Sequence, residues 1–141
     1  MSKSIHFFNE DIKYTLRGKS NIRKWITETA EEENSSAGEI CIIFCSDAYL
    51  AKINRKYLKH STLTDIITFP LIDDDSIISG DIFISISRVR ENSVKFGVRM
   101  KDELHRVIIH GVLHLLGYDD ASKQEKAGMR LKENYYLEKL A

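Results

Sequence analysis

Residues Glu39–Cys45 read EICIIFC. After the first glutamate the run is apolar without interruption, and isoleucine and phenylalanine dominate it. A half-exposed strand would alternate apolar with polar; this nearly continuous run is the pattern of a strand covered on both faces. Helices must then lie on both sides of the sheet, and the flanking sequence supplies them. Upstream, Ser4–Phe8 (SIHFF) is a candidate first strand, and Ser20 can cap a helix in which Ile22, Trp25, Ile26 and Thr29 share one face. The acidic end of that helix, Glu31-Glu32-Glu33, precedes a loop, NSSAG. Downstream, Ser46 caps a helix carrying Leu50, Ile53 and Tyr57 on one side. Asp65–Phe69 (DIITF) reads as a strand that stops at Pro70, and Gly80–Ile86 (GDIFISI) as another. Between them Asp73-Asp74-Asp75 reads as a solvated turn.

Helices are expected over Arg88–Phe96 and Lys101–Leu116, the second with Leu104, Val107, Ile108 and Leu115 at apolar positions. Gly117 is placed to end it, because glycine reaches the left-handed conformation without a Cβ penalty. Ser122 and Glu125 form an S-x-x-E capping box that opens a last helix through Met129, Leu131 and Tyr136. About four strands alternating with about five helices predict an α/β fold, a small sheet with helices packed on it.

The chain of 141 residues fits a single domain, 1–141. A composition 43% hydrophobic and 30% charged is that of an ordinary folded protein. Lysine plus arginine equal aspartate plus glutamate at 21 each, so any nucleic-acid surface must come from local clustering. The N-terminal MSKSIHFFNEDIK lacks the apolar segment of a signal peptide, and no stretch approaches the roughly 20 apolar residues of a membrane span. The expected location is the cytoplasm, with no membrane partner. Cys41 and Cys45 share one strand-like run, about 13 Å apart at ~3.3 Å per residue, too far to bridge each other. They read as small buried hydrophobes.

Chemistry concentrates in His110–Asp120, HGVLHLLGYDD. Residues four apart on a helix share a face, so His110 and His114 project together and can reach one metal ion. Leu113 and Leu116 flank the pair, and Gly117 turns the chain back so that Asp119 or Asp120 can bring a third donor. Two imidazoles and a carboxylate suit zinc or non-haem iron and leave a coordination position open. Zinc there lowers the pKa of bound water to about 7, so the expected chemistry is hydrolytic. The placement resembles a metalloprotease site on a helix, but those enzymes carry a general-base Glu after the first His, where this chain has Gly111. That argues against a peptidase mechanism. Glycine also lets a strand or a substrate approach the helix closely. His6 and His105 have no such companions and read as ordinary structural histidines.

A second constellation, Lys52, Arg55, Lys56, Lys59 and His60, crowds the end of one helix and the loop beyond. Such clusters bind phosphate backbones, and cations at a helix C-terminus also complement its dipole.

With these residues in view, the sequence resembles the YbeY family of bacterial rRNA maturation endoribonucleases. The family's signature HGxLHLxGxDH is matched by HGVLHLLGYDD at every position but the last. A second block, LN-x-x-YR followed by PTDVLSFP, is matched by Ile53, Asn54 and Tyr57 and by Leu63–Pro70, with Leu63 in place of the proline. Gly80-Asp81-Ile82 fits the family's GDI. The resemblance implies a mostly parallel sheet and one zinc ion, Zn2+, on His110, His114 and the residue at 120. It also implies cleavage of single-stranded RNA in 16S rRNA maturation and ribosome quality control, with rRNA and ribosomal proteins as partners. Two departures bear on function. Asp120 replaces the usual His, which looks like an exchange of ligand and should leave the site less positive. Leu58 replaces an arginine expected to face the substrate phosphate, and Lys56, Lys59 or His60 are the cations available to stand in. The nucleophile is either a metal-activated water or an RNA 2′-hydroxyl. Asp119 is a candidate base, more simply read as a turn residue or hydrogen-bond acceptor. The alternatives are a ribosome-associated RNA-binding factor with structural zinc, which Leu58 motivates, and a metallopeptidase-like hydrolase, which Gly111 disfavours.

Overall fold

The EICIIFC run forms most of an interior strand, β2 (Ser36–Cys45), in a computed structural model that describes residues 4–58, 64–71 and 76–140. Its neighbours are β1 (Ile5–Asn9) on one side and β4 (Ile77–Ser85) on the other, both parallel to it. The edge strand β3 (Ile66–Leu71) runs antiparallel to β4, giving the order β1-β2-β4-β3. The helices are α1 (Lys19–Glu32), α2 (Asp47–Ile53), α3 (Ile86–Phe96), α4 (Met100–Leu115) and α5 (Lys123–Leu140). A π-helical turn, Asn54–Leu58, continues α2.

Successive side chains of a strand point to opposite faces, and both faces of β2 are used. Ile40, Ile42 and Phe44 enter the main core, where they meet Trp25 and Ile26 of α1, Leu104 and Ile108 of α4, and Tyr136 of α5. Cys45 points the other way, into a smaller cluster with Ile67 and with Leu50 and Ile53 of α2. Trp25 Nε1 donates to the Tyr136 carbonyl at 2.7 Å and ties α1 to α5 inside the core. Both cysteines are free; Cys45 is buried as expected, and Cys41 is half-buried.

Two glycines position the site. A Cβ on Gly111 would stand 2.9 Å from side-chain carbons of both Ile66 and Ile82, so α4 lies directly on β3 and β4 only because that residue has none. Side chains of the two strands occupy the space. Gly117 has φ 104, its N–H donates to the His114 carbonyl, and the N–H of Tyr118 donates to that of Leu113. This is the Schellman pattern, which satisfies the last carbonyls of the helix and reverses the chain.

Several local expectations shift. Gly18, with φ 71, takes the cap position of α1, and Ser20 lies inside the first turn with no capping bond. Strand β3 runs through Pro70 to Leu71; a residue without an N–H is tolerated there because an edge strand is paired on one side only. Leu131 is 70% exposed, because the buried stripe of α5 is Met129, Glu133 and Tyr136. Ser46 and the Ser122–Glu125 box cap as the sequence predicts, the box with reciprocal 3.0 Å bonds. Lys59, His60, Leu63 and Asp73–Asp75 lie outside the described residues.

Candidate metal centre

Helix α4 presents His110 and His114 from the same face, each with about a fifth of its side chain exposed. Their Nε2 atoms are 3.0 Å apart. The Schellman turn brings Asp120 back over them, with its Oδ2 3.2 Å from His110 Nε2 and 3.6 Å from His114 Nε2. Ligands about 2.1 Å from one tetrahedral zinc are separated from each other by about 3.4 Å. The three donors already stand at nearly that spacing, and their chemistry fits zinc.

The other nitrogen of His110 is also engaged. Nδ1 lies 2.6 Å from Glu133 Oε2, and Arg106 Nη1 donates to Glu133 Oε1 at 2.8 Å. Arg106 Nη2 donates in turn to Asn134 at 2.8 Å. Glu133 is a buried carboxylate, only 6% exposed. Burial pushes its pKa up, but hydrogen bonds from His110 and Arg106 outweigh burial and hold it below the usual glutamate value. For His110 burial acts downward; the hydrogen bond to Glu133 and the charges of Glu133, Asp120 and Asp65 overcome it and raise the imidazole. A proton on Nδ1, donated to Glu133, leaves the Nε2 lone pair aimed at His114 and Asp120, as a metal ligand requires.

A cavity of ≈ 350 Å³ opens beside the centre, lined by His110, Asp120 and Glu133, by Asp65, Glu103 and Arg106, and by the cations Lys126 and Arg130. A larger cavity of ≈ 700 Å³ adjoins it through Phe96, Glu103, Arg106 and Arg130 but contains none of the three donors. Burial raises the carboxyl pKa of Asp65 and of Glu103, so both hold protons to higher pH than exposed carboxylates.

The structure brings His110, His114 and Asp120 together, with their candidate donor atoms all within 4.8 Å of one another. The sequence reading misses Glu133, the residue on α5 that meets His110 Nδ1; Asp119 lies exposed in the turn after α4. A signal for Glu133 existed, since it sits between Met129 and Tyr136 on the apolar face of α5, where an unpaired charge would be costly. Lys52, Arg55 and Lys56 are exposed at the end of α2 and in the π-helical turn. Lys56 does not line the cavity beside the histidines among the described residues. His6 pairs with Glu39 at 3.2 Å on the surface, and His105 packs edge-on against Trp25. No helix among the described residues is long and apolar enough to cross a membrane.

The family model described as Endoribonuclease YbeY matches residues 4–141. An Endoribonuclease YbeY of Cytophaga hutchinsonii is 48% identical over 135 residues, covering 96% of this chain and 94% of its own. Another, of Amoebophilus asiaticus, is 45% identical and covers 95% and 91%. The solution structure of TM1509 from Thermotoga maritima superposes with a TM-score of 0.67 at 27% identity, over 96% of this chain and 88% of that one.

Proposed function

The chain belongs to the endoribonuclease YbeY family, and on that premise we propose that it is a zinc-dependent, single-strand-specific endoribonuclease acting in the cytoplasm in 16S rRNA maturation and ribosome quality control. The observation that carries the metal part of this reading is the convergence of His110 Nε2, His114 Nε2 and Asp120 Oδ2. These three residues are the proposed ligands. Bound zinc supplies a Lewis acid for a phosphoryl oxygen and activates a hydroxyl nucleophile near neutral pH. Glu133 keeps the His110 proton on Nδ1, and Arg106 keeps Glu133 ionised. The donor set carries one negative charge where three imidazoles would carry none, so Asp120 makes the centre less electrophilic than the family's usual trio.

Substrate would enter by the cavity beside His110, where Lys126 and Arg130 meet phosphate charge. Lys56, Lys59 and His60 are proposed as further RNA contacts, compensating for Leu58. Ribosomal proteins are the proposed protein partners. The test is cleavage of single-stranded RNA by the zinc-loaded protein against the His114→Ala variant. Cleavage that the variant loses supports the enzyme. RNA binding at full zinc occupancy with no cleavage would instead make the chain a binding factor, the reading that Leu58 favours.

A further inference from the structure

Tyr118 lies between Gly117, which ends α4, and Asp120, so whatever holds Tyr118 sets how Asp120 meets the two imidazoles. Its hydroxyl donates to Glu33 Oε1 at 2.6 Å. Glu33 caps the C-terminus of α1, far along the chain from the donor set, and closes the Glu31-Glu32-Glu33 run. Its second oxygen accepts from Lys132 Nζ at 2.9 Å and from the Tyr136 hydroxyl. Lys132 Nζ also lies 5.4 Å from the centroid of the Tyr118 ring. The Glu33 side chain is 12% exposed. Lys132 alone would neutralise this carboxylate. Two tyrosines from different segments add geometric constraint beyond charge pairing. Lys132 is the chain neighbour of Glu133, the residue that holds His110.

We infer that Glu33 is a positioning residue for the metal centre: through Tyr118 it fixes the turn that delivers Asp120, and through Lys132 and Tyr136 it fixes the part of α5 that delivers Glu133 to His110. This rests on the proposed ligand set. In Glu33→Gln one amide oxygen replaces two carboxylate oxygens; with that oxygen on Lys132 and Tyr136, the NH2 group faces Tyr118 and the bond that the Tyr118 hydroxyl donates is lost, while all three donors stay in the sequence. Loss of a group that hydrogen-bonds a ligand directly lowers metal affinity about 10–100-fold; Glu33 and Tyr118 stand one contact further out, which places their effect in the range up to about 10-fold, and a reoriented donor changes the ligand field.

The experiment measures zinc affinity by chelator competition, the visible absorption spectrum of the cobalt(II) form and the thermal midpoint of the metal-free protein. The variants are Glu33→Gln, Tyr118→Phe, both together and Asp120→Ala, with Ile26→Val as a control for lost α1 packing. Glu33→Gln and Tyr118→Phe are expected to weaken zinc binding within that range and to shift the cobalt bands. The double variant should lose little beyond Glu33→Gln, because Tyr118 acts through Glu33. Ile26→Val should lower the midpoint and leave affinity and spectrum alone. Tyr118→Phe removes one hydroxyl and serves if Glu33→Gln does not fold. Wild-type affinity and spectrum in both single variants, with Asp120→Ala impaired, would overturn the role of Glu33 and leave the ligand set standing. Unchanged affinity in Asp120→Ala would overturn the ligand set and this inference with it.

Discussion

Replacing Glu133 by Gln tests the orientation of His110 without removing a ligand. The carboxylate accepts from His110 Nδ1 at 2.6 Å and from Arg106 Nη1 at 2.8 Å, one donor on each oxygen. An amide offers one oxygen and one NH2 group, so it can accept from only one of the two and sets donor against donor at the other. Arg106 keeps its bond to Asn134, whereas Glu133 is the acceptor that meets His110 Nδ1. Loss of such a partner costs about 10–100-fold in metal affinity, or ~1.4–2.8 kcal/mol. The pH dependence supplies a second readout. In the wild type the Glu133 hydrogen bond raises the His110 pKa against burial, so protons compete with metal up to higher pH than at an ordinary histidine. Without the carboxylate, burial acts with less opposition and the imidazole pKa falls. Zinc binding by the variant should be weaker at pH 8 because orientation is lost, the pH at which its affinity begins to fall should move lower, and the gap to wild type should narrow on acidification. Chelator competition across pH 5.5–8 measures all three. Equal affinity at pH 8 together with an unmoved inflection of the affinity–pH profile would refute the orienting role.

Asp65→Asn should raise the thermal midpoint of the metal-free protein at pH 7. Burial raises the Asp65 pKa, so its contribution to stability is fully present below the ordinary aspartate pKa and is lost as pH rises through the raised value; the gain from Asn should vanish below about pH 4. A variant no more stable than wild type at pH 7 would contradict this. Gly111→Ala should destabilise, because its Cβ would meet Ile66 and Ile82 at 2.9 Å. Overpacking costs about 1–3 kcal/mol and helix propensity returns up to ~1 kcal/mol, so denaturant unfolding should show a net loss; unchanged stability would mean that α4 can lift off the sheet.

The convergence of His110, His114 and Asp120 was legible because all three fall within one helix and the turn after it. A four-residue spacing and a helix-ending glycine bring them together by local geometry alone, with no tertiary packing needed. Glu133 is separated from His110 by the turn and half of α5, and only the packing of α5 on α4 joins them. The sheet divides in the same way. EICIIFC announces a strand covered on both faces, and β2 is one. The pairing of β3 as an antiparallel edge strand leaves no local trace, and that position is what lets Pro70 stay in the strand. Glu33 was visible as the end of an acidic run, but the hydroxyls that meet it come from Tyr118 and Tyr136, on segments remote in sequence.

The central claim is that one zinc ion is held by His110, His114 and Asp120. A crystal structure of protein loaded with one equivalent of zinc near pH 8, free of chelators, with anomalous data across the zinc absorption edge, tests it most directly. The account predicts a single strong peak about 2.0–2.2 Å from both Nε2 atoms and from an Asp120 carboxylate oxygen. A fully occupied zinc elsewhere, or one bound to the histidines with Asp120 turned away, would contradict it.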